Sequence, residues 1–482
     1  MGLLNILTNK VKAAIGQNQT FEELIEAKDI SRVKALMVSG ESETLKAIAE
    51  YDVADHAIMK RLDKVVKDSE GNVKDIVHRW KLPIGYPQYI NEVALVFIYG
   101  RPVKWSCVTE GCKDAFDYYS ELLTKMHFDS KIREAKRYAG AETQSALLFR
   151  VYRNDDGKSA CQIRVLARSK GDEIYTYWDI YENLLAAAWG YYAKEDEKTT
   201  SYHFDIFTPD TTYRCVKGSL GWQVTPEPNP IGKIPLIIFQ QKKEWEGATN
   251  LIEREEYLGS HTADTNDYFA DPYLVVNADI VRNMPKKGED GKLLITKGDV
   301  QSISNVAGYI TWDNAPESKK EEIAWLQKHI MTKTFTPDLE SLKSISNVSY
   351  KTLRVMLMLA YIKADKTKER HDELLDRTAS LLLTIIGNVL DVSLKSQCEK
   401  AIIHHQFQEP FSEDLNEVLD NIVKAVDAKI MSEESGIEQN PLVKDHNQEK
   451  ERIAEEQERL AIEQRDIFGA NQNTDDIFGG AQ

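Results

Sequence analysis

Glu253, Glu255 and Glu256, and again Glu321 and Glu322, place carboxylates in close groups, the residue type that general acid and base work on glycosides or phosphodiesters needs in pairs. On polar helices such groups usually form a solvated face, and that is the expectation here. The neighbouring His404 and His405 offer two imidazoles to a metal, but adjacent strand residues point to opposite faces and do not readily share one ion. Gly157-Lys158-Ser159 has the ending of a phosphate-cradling loop, yet Tyr152 stands where the first glycine belongs. A β-hairpin turn is the better reading. No Gly-x-Ser-x-Gly elbow and no His-Glu-x-x-His helix occurs. The chain is therefore expected to be no enzyme and to hold no metal and no cofactor.

The five cysteines, Cys107, Cys112, Cys161, Cys215 and Cys398, are scattered and form no Cys-x-x-Cys pair, which fits a reducing cytoplasm. A formal charge of -16 over 482 residues argues against tight nucleic-acid binding, because cationic neutralisation of phosphates dominates such affinity. It remains compatible with DNA sliding past. The length suggests roughly two to four domains. No apolar run reaches the ~20 residues of a membrane helix, so a soluble chain with no membrane partner is expected.

The elements follow from periodicity and punctuation. Helical spacing runs through Phe21, Leu24, Ile25, Val33, Leu36, Met37, Leu45 and Ile48. His78 to Trp105, with its aromatic and β-branched residues broken by Pro83, Gly85, Pro87, Gly100 and Pro102, predicts extended segments and turns. A helix is predicted over Lys113 to Met126, and short strands from Ser145 to Thr225, with Trp178 to Tyr192 ambiguous. Pro226 to Pro235 reads as a stiff connector at a subdomain boundary. Trp245 to Phe269 reads as one long polar helix with a thin apolar stripe, Leu251, Ile252, Leu258 and Phe269. Three short extended runs follow between Pro272 and Asn314, too few for a stable sheet and expected to be completed by a neighbour. A helix from Pro316 to about Met331, a loop over Lys333 to Asn347 and a long helix from Val348, with Gly387-Asn388 near its end, come next. A strand-like Ile402 to Phe407, helices near Asp414 to Met431 and Asp445 to Gln464, and a polar tail close the chain. That tail repeats Asp-Ile-Phe-Gly at Asp466 and Asp476, a candidate pair of docking motifs. Asn471 to Asp475 and Gly479-Gly480 read as flexible.

In this order the pieces resemble the SPP1-type family of phage portal proteins along most of the chain. Tyr86 to Trp105, containing Phe97-Ile98-Tyr99-Gly100-Arg101-Pro102-Val103, is similar to the family's early strand ending in a Gly-[Lys/Arg]-Pro-Val turn. Asn229-Pro230-Ile231-Gly232-Lys233-Ile234-Pro235 resembles its connector before the first stem helix, and Phe407 to Pro441 its strand, proline and paired-helix section. At the start of the long helix Ser349 precedes Tyr350 where the family has Ser-Gly.

The resemblance implies an α+β portal fold with an α/β wing, long helical stem, small β-rich clip and helical crown, assembled as a ring of typically twelve subunits. The implied wing is 1–243, joined by the segment returning within 348–431 after the long helix. Stem helices are 244–270 and 316–332, the clip 271–315, the tunnel loop 333–347, and the crown and tail 432–482. The ring would be the channel for DNA packaging and ejection at one capsid vertex. Implied partners are the terminase large subunit, the head-tail adaptor, the major capsid and scaffolding proteins, and double-stranded DNA passing non-specifically. Its implied places are the virion and, during assembly, the host cytoplasm. Candidate channel residues are Lys333, Thr336, Asp338, Glu340 and Lys343, and the candidate docking surface of the clip is Lys286, Lys287, Glu289, Asp290 and Lys292. The competing reading is a cytoplasmic helical adaptor or scaffold protein with an acidic docking tail.

Overall fold

The computed structural model describes residues 20–194, 200–219, 221–270, 273–276, 307–310, 316–339, 350–411, 415–443 and 449–459. Its first helix, α1 (Phe21–Glu26), starts at a capping box in which Thr20 and Glu23 satisfy each other's backbone N–H groups. Then come α2 (Ile30–Leu36), α3 (Glu41–Tyr51) and a two-stranded antiparallel ribbon, β1 (Lys64–Lys67) with β2 (Val73–Val77).

The next element corrects the reading of Tyr86 to Trp105. Residues Tyr86–Tyr99 form a helix, α4, and the strand β3 is confined to Lys104–Cys107. Ile90, Ala94, Leu95, Phe97, Ile98 and Tyr99 are all buried, so α4 has little polar face to betray its period. Pro87 sits in its first turn, where the missing N–H has no intrahelical partner to lose. Two helices follow, α5 (Lys113–Lys125) as expected and α6 (Phe128–Glu142), whose buried stripe of Ala135 and Ala139 is too small to stand out among charged neighbours.

Eight strands come next: β4 (Gln144–Arg153), β5 (Ser159–Leu166), β6 (Glu173–Trp178), β7 (Leu184–Lys194), β8 (Thr200–Phe207), β9 (Thr211–Gly218), β10 (Gly221–Pro228) and β11 (Leu236–Gln240). They build an antiparallel five-stranded sheet in the order β10-β9-β8-β7-β6 and a three-stranded sheet β11-β4-β5. In β7, Ala186 and Ala188 face α1 and α2, while Ala187 and Trp189 join the core shared with the three-stranded sheet. Burial on both faces removes the alternation, which explains the ambiguity of Trp178 to Tyr192. Pro226 and Pro228 lie within β10, an edge strand bonded only to β9, where a proline costs the sheet no second ladder. The chain crosses between the two sheets at residues 167–172 and again at 229–235, and Phe207, Ile234 and Leu236 share one core across the second link.

A long helix α7 (Thr249–Ala270) then leads to β12 (Tyr273–Val276), which pairs antiparallel with β13 (Ala307–Ile310) before α8 (Pro316–Lys333) runs back. The Leu293–Ile295 run lies outside the described residues. The long helix is two, α9 (Tyr350–Met356) and α10 (Met358–Ile385), the latter ending in one π turn at Ile386–Leu390 that holds Gly387 and Asn388. Gly387 packs closely on Lys395 and Cys398 of α11 (Lys395–Lys400) and its flank. Strand β14 (Ile403–Gln406) pairs with β3, opposing His405 to Trp105. A separate compact unit contains α12 (Leu415–Asp427) and α13 (Glu433–Gln439), followed by helical residues 449–459, from which Lys450 reaches Glu434 and Glu438. Both Asp-Ile-Phe-Gly copies lie outside the described residues.

Candidate functional site

Helix α4 is the platform on which α7 and α8 both stand. Ile90 of α4, Trp245 and Ala248 just before α7, Ile252 of α7 and Ile330 of α8 form one buried cluster, edged by Tyr86 and Tyr89. The two helices also hold each other, Arg254 Nη2 lying 2.9 Å from Glu322 Oε1.

Three consecutive side chains lock the approach to α7. Lys243 pairs with Glu50, and Trp245 Nε1 and Thr249 Oγ1 donate to the same Glu50 Oε2 at 2.8 and 2.9 Å. Burial pushes the Glu50 carboxyl up, but these donors outweigh it and hold it below the usual range. Between them Glu244 turns the other way into the interior. There it pairs with Lys136 of α6, and its Oε2 lies 2.8 Å from Lys363 Nζ of α10. Burial opposes its ionisation, yet the two ammonium groups bring its pKa down to about 2. Such a buried charge set is costly to break, since removal of one partner leaves another uncompensated. Gly140 of α6 makes room, because a Cβ there would collide with Asn91 Oδ1 and press on Glu244.

Along α7 the carboxylates expected to form a solvated face divide in two. Glu253 is exposed, but Glu255 and Glu256 are buried, which corrects that expectation. Glu256 Oε1 lies 2.6 Å from His56 Nδ1 and accepts Ile84 N–H at 2.8 Å. Leu82 N–H donates to Ser260 Oγ at 3.0 Å and Trp80 N–H to Asp264 Oδ1 at 2.7 Å. Every second residue of an extended strap thus meets every fourth residue of a helix. Two strand residues advance about 6.7 Å and four helical residues about 6 Å, so the two repeats stay in step. Glu255 accepts from Tyr86 Oη at 3.1 Å and Gln327 Nε2 at 2.9 Å, and burial raises its pKa. These carboxylates join elements to one another. No group of His, Cys, Asp and Glu among the described residues could hold a metal.

The loop side starts at the same root. Lys333 is the last residue of α8 and exposed, Thr334 Oγ1 bonds Thr336 Oγ1 at 3.0 Å, and Tyr89 Oη donates to the Pro337 carbonyl at 3.4 Å. Thr336 is buried within the chain, where its hydroxyl pairs with that of Thr334 at the helix end. Asp338 is exposed, while Glu340 and Lys343 lie outside the described residues, as do Lys286, Lys287, Glu289, Asp290 and Lys292. His404 is exposed and His405 turns to Asp372 and Asp376, so the pair does face opposite ways. Gly157-Lys158 lies in the turn joining β4 to β5.

Sequence reasoning missed Glu50, His56, Lys136, Glu244, Trp245 and Lys363. For Glu256 a signal existed: it continues, with Ser260 and Asp264, the face that Ile252 opens.

The family model for the phage portal protein, SPP1 Gp6-like, matches residues 6–463. The chain belongs to this portal family. No curated protein sequence matches it. Solved structures similar to this portal protein include two from a gene transfer agent particle. One is the virion of a native gene transfer agent particle, 11% identical, with TM-score 0.36, covering 82% of this chain and 90% of that one. The other is the neck of the native particle computed with C12 symmetry, 10% identical, with TM-score 0.37, covering 74% and 91%. Portal proteins are structural, consistent with carboxylates that tie helices together. The match over nearly the whole chain also displaces the adaptor reading.

Proposed function

We propose that about twelve copies of this portal protein close into a ring at one capsid vertex, where the ring is the channel for DNA packaging and ejection. Family membership over residues 6–463 carries the proposal. In this reading α7 and α8 are the stem, residues 271–315 the clip that docks the terminase and later the head-tail adaptor, and 333–347 the tunnel loop. The 22 residues of α7 span about 33 Å, so a partner bound at the clip acts on the wing through a stiff pair of helices whose roots are locked. Clip and tunnel loop lie at opposite ends of α8 in the chain, so a load on one reaches the other through a single helix.

A lining that is acidic overall suits passage. A ring of twelve carries roughly -190, and a field of that sign repels phosphates and keeps DNA from sticking. The test is a packaging reaction with procapsids assembled with and without this chain. Procapsids lacking it should protect no DNA from nuclease; equal protection in both would sink the proposal.

A further inference from the structure

The ribbon of β1 and β2 has no core of its own. Leu62 is 83% exposed, Val73 60% and Ile76 51%, with Val65, Val77 and Trp80 also exposed, all within 19 residues of chain. A two-stranded ribbon is marginal in water unless another surface covers it. This one is nevertheless held in place at both ends by one carboxylate. Arg61 Nη2 lies 2.7 Å from Asp264 Oδ2, Trp80 N–H donates to Asp264 Oδ1 at 2.7 Å, and Arg61 Nη1 donates to the Trp80 carbonyl at 2.9 Å. Asp63 ties the base further, accepting from Arg79 N–H at 3.1 Å and meeting His78 at 2.8 Å. The ribbon is therefore fixed at its base on α7 while its apolar side chains stay in solvent.

Its charge runs against that of the rest of the chain. Residues 61–82 hold six cations, Arg61, Lys64, Lys67, Lys74, Arg79 and Lys81, against four carboxylates; with Arg61 already paired to Asp264, the ribbon still presents a net +1 within a chain of net -16. A surface that is both basic and apolar, presented by an acidic protein, is complementary to another copy of that protein.

We propose that the β1–β2 ribbon docks on the acidic surface of a second copy of this chain and is an interlock between neighbouring subunits. The inference rests on the ring reading above. Apolar side chains of the ribbon would be buried against the neighbour, with the lysines around them meeting its carboxylates.

The test places a photoreactive benzoylphenylalanine at Val73 in the full chain, which is irradiated at a concentration where its mass reports assembly. Covalent dimers and higher multiples on a denaturing gel, with the cross-link mapped to a second copy, are expected. Assembly without such products, or a cross-link that closes only within one chain, overturns the interlock and leaves the ring reading standing. A chain that neither assembles nor cross-links contradicts both. Separately, I76D changes a side chain exposed in the lone subunit. It should leave the circular dichroism unchanged and cut the ring population about tenfold. Wild-type ring levels in that variant also overturn the proposal.

Discussion

His56 Nδ1 lies 2.6 Å from Glu256 Oε1, both side chains buried, and the bond joins the segment after α3 to the long helix α7. The hydrogen bond to Glu256 holds the imidazole above its ordinary 6.5, with burial working against it. A His raised in the folded state contributes stability that is complete below the unfolded value near 6.5 and lost as pH rises through the folded one. The melting temperature of wild type should therefore fall across that window more steeply than that of His56→Gln. Parallel pH profiles for the two proteins would contradict the assignment.

Glu50 and Trp245 set the stability of the root of α7. Glu50→Gln weakens the acceptor for Lys243, Trp245 and Thr249 and should cost about 1–3 kcal/mol at neutral pH. Because the folded pKa of Glu50 is depressed, this contribution is present above the unfolded value near 4.5 and lost as pH falls through the folded one. Trp245→Ala empties a fully buried site and should cost about 3–5 kcal/mol. Denaturant titration reads both, and an unchanged midpoint for either refutes the lock.

How much of this was legible in the sequence depended on whether a residue's role showed in local pattern. The hairpin turn at Gly157, the helix at Lys113, the Pro316 start and the end near Gly387 follow from short-range punctuation and were found. Tyr350 opens α9, so the departure from the family's Ser-Gly costs the junction no helix. Helix α4 was misread because an element buried on nearly all sides has no amphipathic period. The root was hidden for a different reason. Glu244 looks like one more charge in a polar stretch, and its partners Lys136 and Lys363 are far away in sequence, so only the fold reveals that the three meet.

Lys333 is exposed at the end of α8, and Lys343 follows in sequence within residues 333–347, the proposed tunnel loop. If these lysines brush passing phosphates, the contacts are weak, salt-sensitive and not base-specific. Changing Lys333→Glu together with Lys343→Glu should leave rings and procapsids intact and reduce packaged DNA. Particles with wild-type DNA content would rule the contact out.

The proposed clip, residues 271–315, gives a second, separable prediction. Deletion of Lys286 to Lys292 should spare ring assembly and weaken docking of the terminase and of the head-tail adaptor, read by pull-down with each partner. Unchanged binding of both would place the docking surface elsewhere.

Ring closure is the claim on which the rest depends, and it is read most directly by imaging the purified full-length chain by electron microscopy alongside native mass spectrometry. The account predicts closed rings of about twelve copies around an open central channel. A population made only of monomers or dimers at micromolar concentration, with no rings, would contradict it.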